Sequence, residues 1–202
     1  MKHLTRSSLA GSFALAFVGS MVFAQEPIRL RGTIERIEGP IFVLKTRYGA
    51  QVKLTIADSP ELIAAVKSSI TDIKLGTFIG SIAKLQPDGT QRATEVHIFP
   101  DSMRTITEDL SRDLTSQNQI TNANVENIVA GADGHLLTVK DKHGEKKLLV
   151  SMDAPIVTFV SGDKSDLKAG VAIFVPDAKK EPGGLLQTSV IIYGRDGLAP
   201  PL

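Results

Sequence analysis

Three histidines follow residue 24, His97, His135 and His143, and they are the side chains of this chain best suited to hold a metal ion. A neutral imidazole binds zinc and its neighbours in the transition series through either ring nitrogen. His97 stands between Val96 and Ile98 in an alternating run and points away from both, His135 follows the Asp133-Gly134 turn, and His143 stands beside Gly144 in a second turn. No two have the short spacing that sets two imidazoles on one ion, so a metal site needs the fold to gather them with distant carboxylates. Histidines more than about 10 Å apart cannot share one ion, because ligand bonds are near 2 Å. Exposed turn histidines are the plainer reading. Carboxylates come second: Asp153, Asp163 and Asp166 cluster in the second half. A hydrolytic pair must face across a cleft, which this spacing does not specify, and each Asp also suits a turn. No Gly-x-Ser-x-Gly, phosphate loop or His-Glu-x-x-His is present. Cysteine is absent, which removes thiol nucleophiles, thiolate metal sites, disulfides and a lipid-anchored amino terminus. No catalytic or cofactor-binding residue is assigned, and no cofactor is expected.

The elements that must carry these residues occur twice. Pro60 to Phe99 aligns without a gap on Ala154 to Tyr193 at an offset of 94, so that Val66 meets Val160, Asp72 meets Asp166, Gly76 meets Gly170 and Ile98 meets Ile192. Upstream, Ile34-Glu35-Arg36-Ile37 echoes Val125-Glu126-Asn127-Ile128 at an offset of 91. In the first copy, alternating runs at 32–38, 41–46 and 51–56 are separated by Gly39-Pro40 and Tyr48-Gly49, the grammar of a β-meander. Ser59-Pro60-Glu61 then supplies a capping hydroxyl, a proline at a first helical position and an acid near the positive helix end. With Leu62, Ile63, Val66 and Ile70 at helical spacing behind it, the segment predicts one short helix. Strands at 77–85 and 90–99 complete the copy. The β-branched run Pro155 to Val160 replaces the helix in the second copy and predicts an extended segment or a single turn there, not a helix.

The order β-β-β-α-β-β is that of a five-stranded barrel of the OB type. The expected fold is therefore mainly β, two tandem OB-like barrels, the first with a short helix between its third and fourth strands. The recurring Asp-apolar-Lys-x-Gly, Asp72 to Gly76 and Asp166 to Gly170, predicts a turn before the fourth strand, with Asp bonding backbone amides and Gly serving a positive φ or a close backbone approach.

The first 24 residues read as a signal peptide: Lys2 and Arg6 lead, an apolar run follows, and Val22-Phe23-Ala24 supplies small residues for cleavage before Gln25. Removing 24 of 202 residues leaves 178, with 21 Lys plus Arg facing 22 Asp plus Glu, a net charge near −1. That balance, with no Trp and two Tyr in the chain, argues against the basic, aromatic groove of a single-strand nucleic-acid binder. No later stretch is apolar and long enough to span a bilayer, so no transmembrane anchor is expected after signal removal.

Gly32-Thr33-Ile34, Leu44-Lys45-Thr46, Asp72 to Gly76, Asp88-Gly89-Thr90 and Ala93 to Val96 resemble an exported bacterial OB-like β-barrel domain of unknown function, in tandem over most of the mature chain. With the Val96 to Arg104 stretch and the Gly194-Arg195-Asp196-Gly197 ending, the arrangement is similar to small alphaproteobacterial exported proteins, some labelled metal ABC transporter permease. The segment that is rich in Gly, His, Trp and Pro in those proteins contains none of them here, from Thr105 to Gln119.

The expected organisation is a signal peptide at 1–24, a first barrel at 25–100, a linker at 101–122, a second barrel at 123–197 and a tail at 198–202 that strays from the second barrel. Met103, Ile106, Leu110 and Leu114 have the spacing of a short amphipathic helix in the linker, and a mobile tether is the equal alternative. The expected function is a non-enzymatic periplasmic binding or interaction module whose partner is a periplasmic protein, an envelope component or a small ligand. A metal-handling accessory protein and a carboxylate-based hydrolase are the alternatives.

Overall fold

The computed structural model describes residues 28–104 and 119–200. The signal segment, the linker positions Ile106, Leu110 and Leu114, and residues 201 and 202 lie outside the described residues. The protein is mainly β. Eleven strands run in chain order: β1 (Ile28–Glu38), β2 (Ile41–Thr46), β3 (Gln51–Lys67), β4 (Phe78–Leu85), β5 (Gln91–Ile98), β6 (Gln119–Gly131), β7 (Gly134–Asp141), β8 (Gly144–Ser151), β9 (Ile156–Ser161), β10 (Ala172–Lys180) and β11 (Leu186–Gly194). The alternating runs and glycine turns of the sequence become the strands and hairpins almost residue for residue. The first strand of the second half starts at Gln119, inside the expected linker.

Strand pairing departs from the expected contiguous barrels. The first closed barrel joins β1, β2 and β3 to β10 and β11 from the far end of the chain, with β3 parallel to β11 and β1 antiparallel to β10. The second ring joins β6, β7 and β8 to β4 and β5, closing through a short parallel contact of Gln91 and Arg92 with Leu148 and Leu149. Each half of the chain contributes three strands to one ring and two to the other. The cores follow suit: Ile34, Leu44 and Leu54 pack with Ile173, Leu186 and Ile191, while Ile79 and Val96 pack with Val125, Leu137 and Leu148.

The exchange is made by the segment expected to be a helix. Residues 59–67 continue β3 instead, a 17-residue strand spanning about 50 Å at some 3.3 Å per residue. Helical spacing accounted for one buried face, but Ile63, Ala64 and Ala65 are all buried. Ala64 points into the first barrel core, and Ile63 and Ala65 into a cluster between the rings. A strand covered on both faces reads as a continuous apolar run, and that burial overrides local helix signals. Pro60 is accommodated where Ala57 to Pro60 bulge opposite Ser189, so its missing N–H leaves no gap in the ladder. The capping chemistry expected at Ser59 occurs ten residues later, where Asp72 accepts from the Ser69 amide at 3.0 Å and closes a single helical turn at Ile70–Asp72.

The counterpart of this half of β3 is β9, extended as the sequence predicts, and the two pair antiparallel with Ala65 opposite Phe159. These two residues are 94 positions apart, the repeat offset itself. Equivalent residues of two copies face each other in an antiparallel pair only across a two-fold axis, so the chain is its own pseudo-symmetric dimer. A third core of Ile63, Ala65, Phe99, Met103, Phe159, Phe174 and Ile192 fills the junction. Over residues 198–200 the tail does not stray: Leu198 packs on this junction, and Pro200 is buried.

Gly76 and Gly170 both end their turns at positive φ, 81° and 91°. Ile73 and Leu167 are buried beneath those turns. A β-branched side chain is strained at such a φ even in open space. Gly170→Val is expected to cost about 1–3 kcal/mol, read from the urea midpoint; an unchanged midpoint counts against the strain.

Candidate functional site

The three histidines are not brought together. His97 lies in β5 at the junction, 1% exposed, edge-on to Phe99 (5.9 Å, 84°) and Phe159 (6.3 Å, 80°). The strand placement is as expected from the alternating run, and the burial corrects its reading as exposed. His135 begins β7 opposite Val150, whereas His143 is exposed at the tip of the β7–β8 hairpin. Strand rise alone puts those two about 20 Å apart. Among the described residues, no three His, Cys, Asp or Glu side chains are placed to hold a metal ion.

His97 occupies the repeat position of Ile191. Its Nε2 is buried without a hydrogen-bond partner and stands 3.5 Å from the Glu95 carboxylate. A buried polar group left unpaired costs about 1–3 kcal/mol. His97→Ile is therefore expected to raise stability by about 1 kcal/mol, measured by urea denaturation; a fall of that size would show that the imidazole is held by more than packing.

The two turn aspartates do different work. Asp72 accepts from the Ser68 hydroxyl at 2.8 Å, the Ser69 amide and the Ser69 hydroxyl at 3.1 Å. The Ser68 hydroxyl and then the two Ser69 donors hold its carboxyl below the usual carboxylate range. In the second copy Asp163 takes over the capping, accepting from the Ser165 amide at 2.7 Å. Asp166 instead accepts from the Tyr193 hydroxyl at 2.6 Å and the Arg195 guanidinium at 2.8 Å. These two donors, the phenol foremost, keep the Asp166 carboxyl low, and burial pushes the Tyr193 phenol up. Hydrogen bonds from Ser165 keep Asp163 low as well. A carboxyl acting as general acid needs its pKa raised, and neither Asp163 nor Asp166 is shifted that way. Asp153 is exposed in the turn after β8. The sequence carried a signal for the clasp on Asp166: Tyr193 and Arg195 fall where the first copy has Phe99 and Asp101.

What the pseudo-symmetry does bring together is a pair of clefts at the ring ends. One, of about 320 Å³, is lined by Arg31, Gly32 and Thr33 of β1, Lys45, Thr46 and Arg47 at the end of β2, Ala172 and Ile173 of β10, and the tail residues Ala199 and Pro200. The other, of about 640 Å³, is lined by Phe78, Arg104, Ile120, Asn122, Ala123, Asn124, Glu126 and Lys140 to His143. The strand registers make them the same place. Thr33 pairs with Ala172 and with Lys45 in the first barrel, as Asn124 pairs with Phe78 and with Lys140 in the second ring. Both copies also carry a bulge just beyond, at Glu35 and Glu126.

Both clefts are rimmed by cations. The first has Arg31, Lys45 and Arg47 and no carboxylate. The Arg31 guanidinium lies over the Phe174 ring at 4.4 Å and that of Arg47 over Tyr48 at 4.9 Å. In the second, Arg104 lies over Phe78 at 4.6 Å and donates to Asn124 at 2.9 Å. Burial pushes the Asp141 carboxyl up, but the Lys146 ammonium at 2.6 Å and the His143 amide at 2.8 Å outweigh it and hold it low. Asp141 is thus occupied by Lys146, leaving Lys140 and Lys142 on the rim with no ion pair among the described residues. Among the described residues, no helix is long and apolar enough to cross a membrane. No family model, curated protein or solved structure matches this chain.

Proposed function

We propose that the protein is a non-enzymatic binding module of the periplasm, made of two OB-like barrels that have exchanged strands and that take their ligand at the ring-end clefts. The recurrence of one cleft at one register position in both rings is the observation that carries this reading. The shared strand register and bulge set the cleft in both rings, although the side chains differ at most lining positions. The residues that resemble exported OB-like domains, and a leader of signal-peptide type, support the location. The mode of binding is narrowed by topology. Each strand has a hydrogen-bonded neighbour on both sides over part of its length, so little edge is left to recruit a peptide as an added strand. A partner is held by side chains.

Native mass spectrometry on the mature protein purified from its own periplasm, set against the denatured mass, tests the reading. Excess mass that survives desalting, or a cross-linked partner recovered in the same preparation, supports it. A bare protein that also yields no cross-linked partner overturns it.

A further inference from the structure

Resting on that reading, we propose that the two clefts are a matched pair of oxyanion sites, Lys45 with Arg47 in one and Lys140 with Lys142 in the other. The ligand group is a phosphate or a similarly charged oxyanion.

Lys45 and Lys140 share a register, each opposite the β-strand residue that also lines the cleft, Thr33 or Asn124. Two residues on, where side chains return to the same face, stand Arg47 and Lys142. Around them the copies differ freely: Arg31 is matched by Asn122, Thr46 by Asp141 and Ala172 by Phe78. The cation-x-cation pair is what both clefts keep. It stands on a mature chain whose net charge is near −1, so the positive rims are local and not a by-product of a basic protein. Short donors sit beside the charges, the Thr33 and Thr46 hydroxyls in one cleft and the Asn122 and Asn124 amides in the other. Cations with neutral donors at the wall of a concave site are what an oxyanion needs; Lys45 with Arg47 supplies a point charge and a planar fork, and Lys140 with Lys142 two point charges, beside which the exposed Glu126 carboxylate makes the second cleft the less positive of the two.

The test is a titration of the ¹⁵N-labelled mature protein at low ionic strength with two probes, inorganic pyrophosphate and vesicles containing phosphatidylglycerol. The expected result is two separate groups of shifted amides, one about Gly32, Thr33 and Thr46, the other about Ala123, Asn124 and Asp141. Lys45→Glu with Arg47→Glu is expected to abolish the first group alone, and Lys140→Glu with Lys142→Glu the second alone. The surviving group in each variant reports that the fold is intact. Response to pyrophosphate identifies a free phosphate as sufficient, and response to vesicles alone identifies a lipid headgroup. Silence toward both probes, a response at one cleft only, or shifts that persist through charge reversal would each overturn the proposal. Retained mass or a captured partner in the native measurement, alongside silence here, would leave the binding reading standing and remove only the oxyanion.

Discussion

Expressed apart, residues 25–104 and 119–202 are expected to be unfolded or aggregated; expressed together, they are expected to co-purify one to one and unfold cooperatively. Each half holds three strands of one ring and two of the other, so neither can close a barrel with its own β3–β11 or β8–β5 pairing. A lone first half would expose Ile34, Leu44 and Leu54 on one side and Ile79 and Val96 on the other, each set lacking its counterpart. Surface of that kind drives aggregation. Joining the halves in one chain raises their effective concentration, so separating them keeps every strand pairing described above and makes stability depend on concentration. Size-exclusion chromatography with circular dichroism reads the result. A folded, monomeric half with its own cooperative transition would mean that the chain can close contiguous barrels, and the exchanged topology would fall.

The second large effect is expected at the axis. Phe159 is 4% exposed, stacks on Phe99 at 5.3 Å with ring planes 5° apart, and faces Ala65 across the two-fold. The small side chain at 65 makes room for the large one at 159, so the cross-strand pair on the axis holds one ring where exact symmetry would require two of the same residue. Phe159→Ala should cost about 3–5 kcal/mol, lost transfer energy plus an unfilled cavity. With Phe99→Ala the losses should be less than additive, by about 0.5–1.5 kcal/mol, because each variant already removes the stacked pair. Urea midpoints of the two single variants and the double variant measure this. A loss below about 1 kcal/mol for Phe159→Ala would show that the rings do not depend on the junction.

Much of the fold was legible because it is local. The hairpins at Gly39-Pro40 and Gly144, the period-2 runs and the turn glycines at 76 and 170 are set by neighbours in sequence, and the structure has them there. Which strands close which ring was not legible, for a definite reason. An exchanged pair of barrels and an unexchanged pair contain the same strands, the same turns and the same repeat offset. They differ only in whether residues 57–69 fold back or run on, and there the local signals of Ser59-Pro60-Glu61 favoured turning while burial on both faces of Ile63 to Ala65 decided for the strand. At the clefts, Lys45 and Arg47 read alone are an ordinary solvated strand end; their meaning comes from the register they share with Lys140 and Lys142. His97 misled for the converse reason, since a polar residue on the alternate face of an edge-like run looks exposed until a second ring covers that face.

The axis through Ala65 and Phe159 has a consequence for how such a chain can change. In a dimer of identical subunits every substitution is made twice, once on each side of the axis, and a residue that faces its own copy must be compatible with itself. Here both sides are written in one chain, so a change occurs on one side only. That is what allows Ala65 to sit against Phe159, Tyr193 to form a clasp where Phe99 does not, and an imidazole to occupy one barrel wall while isoleucine occupies the other. A chain of a single copy could not hold those pairs apart; with both sides in one chain, the two clefts can differ in lining while keeping one frame.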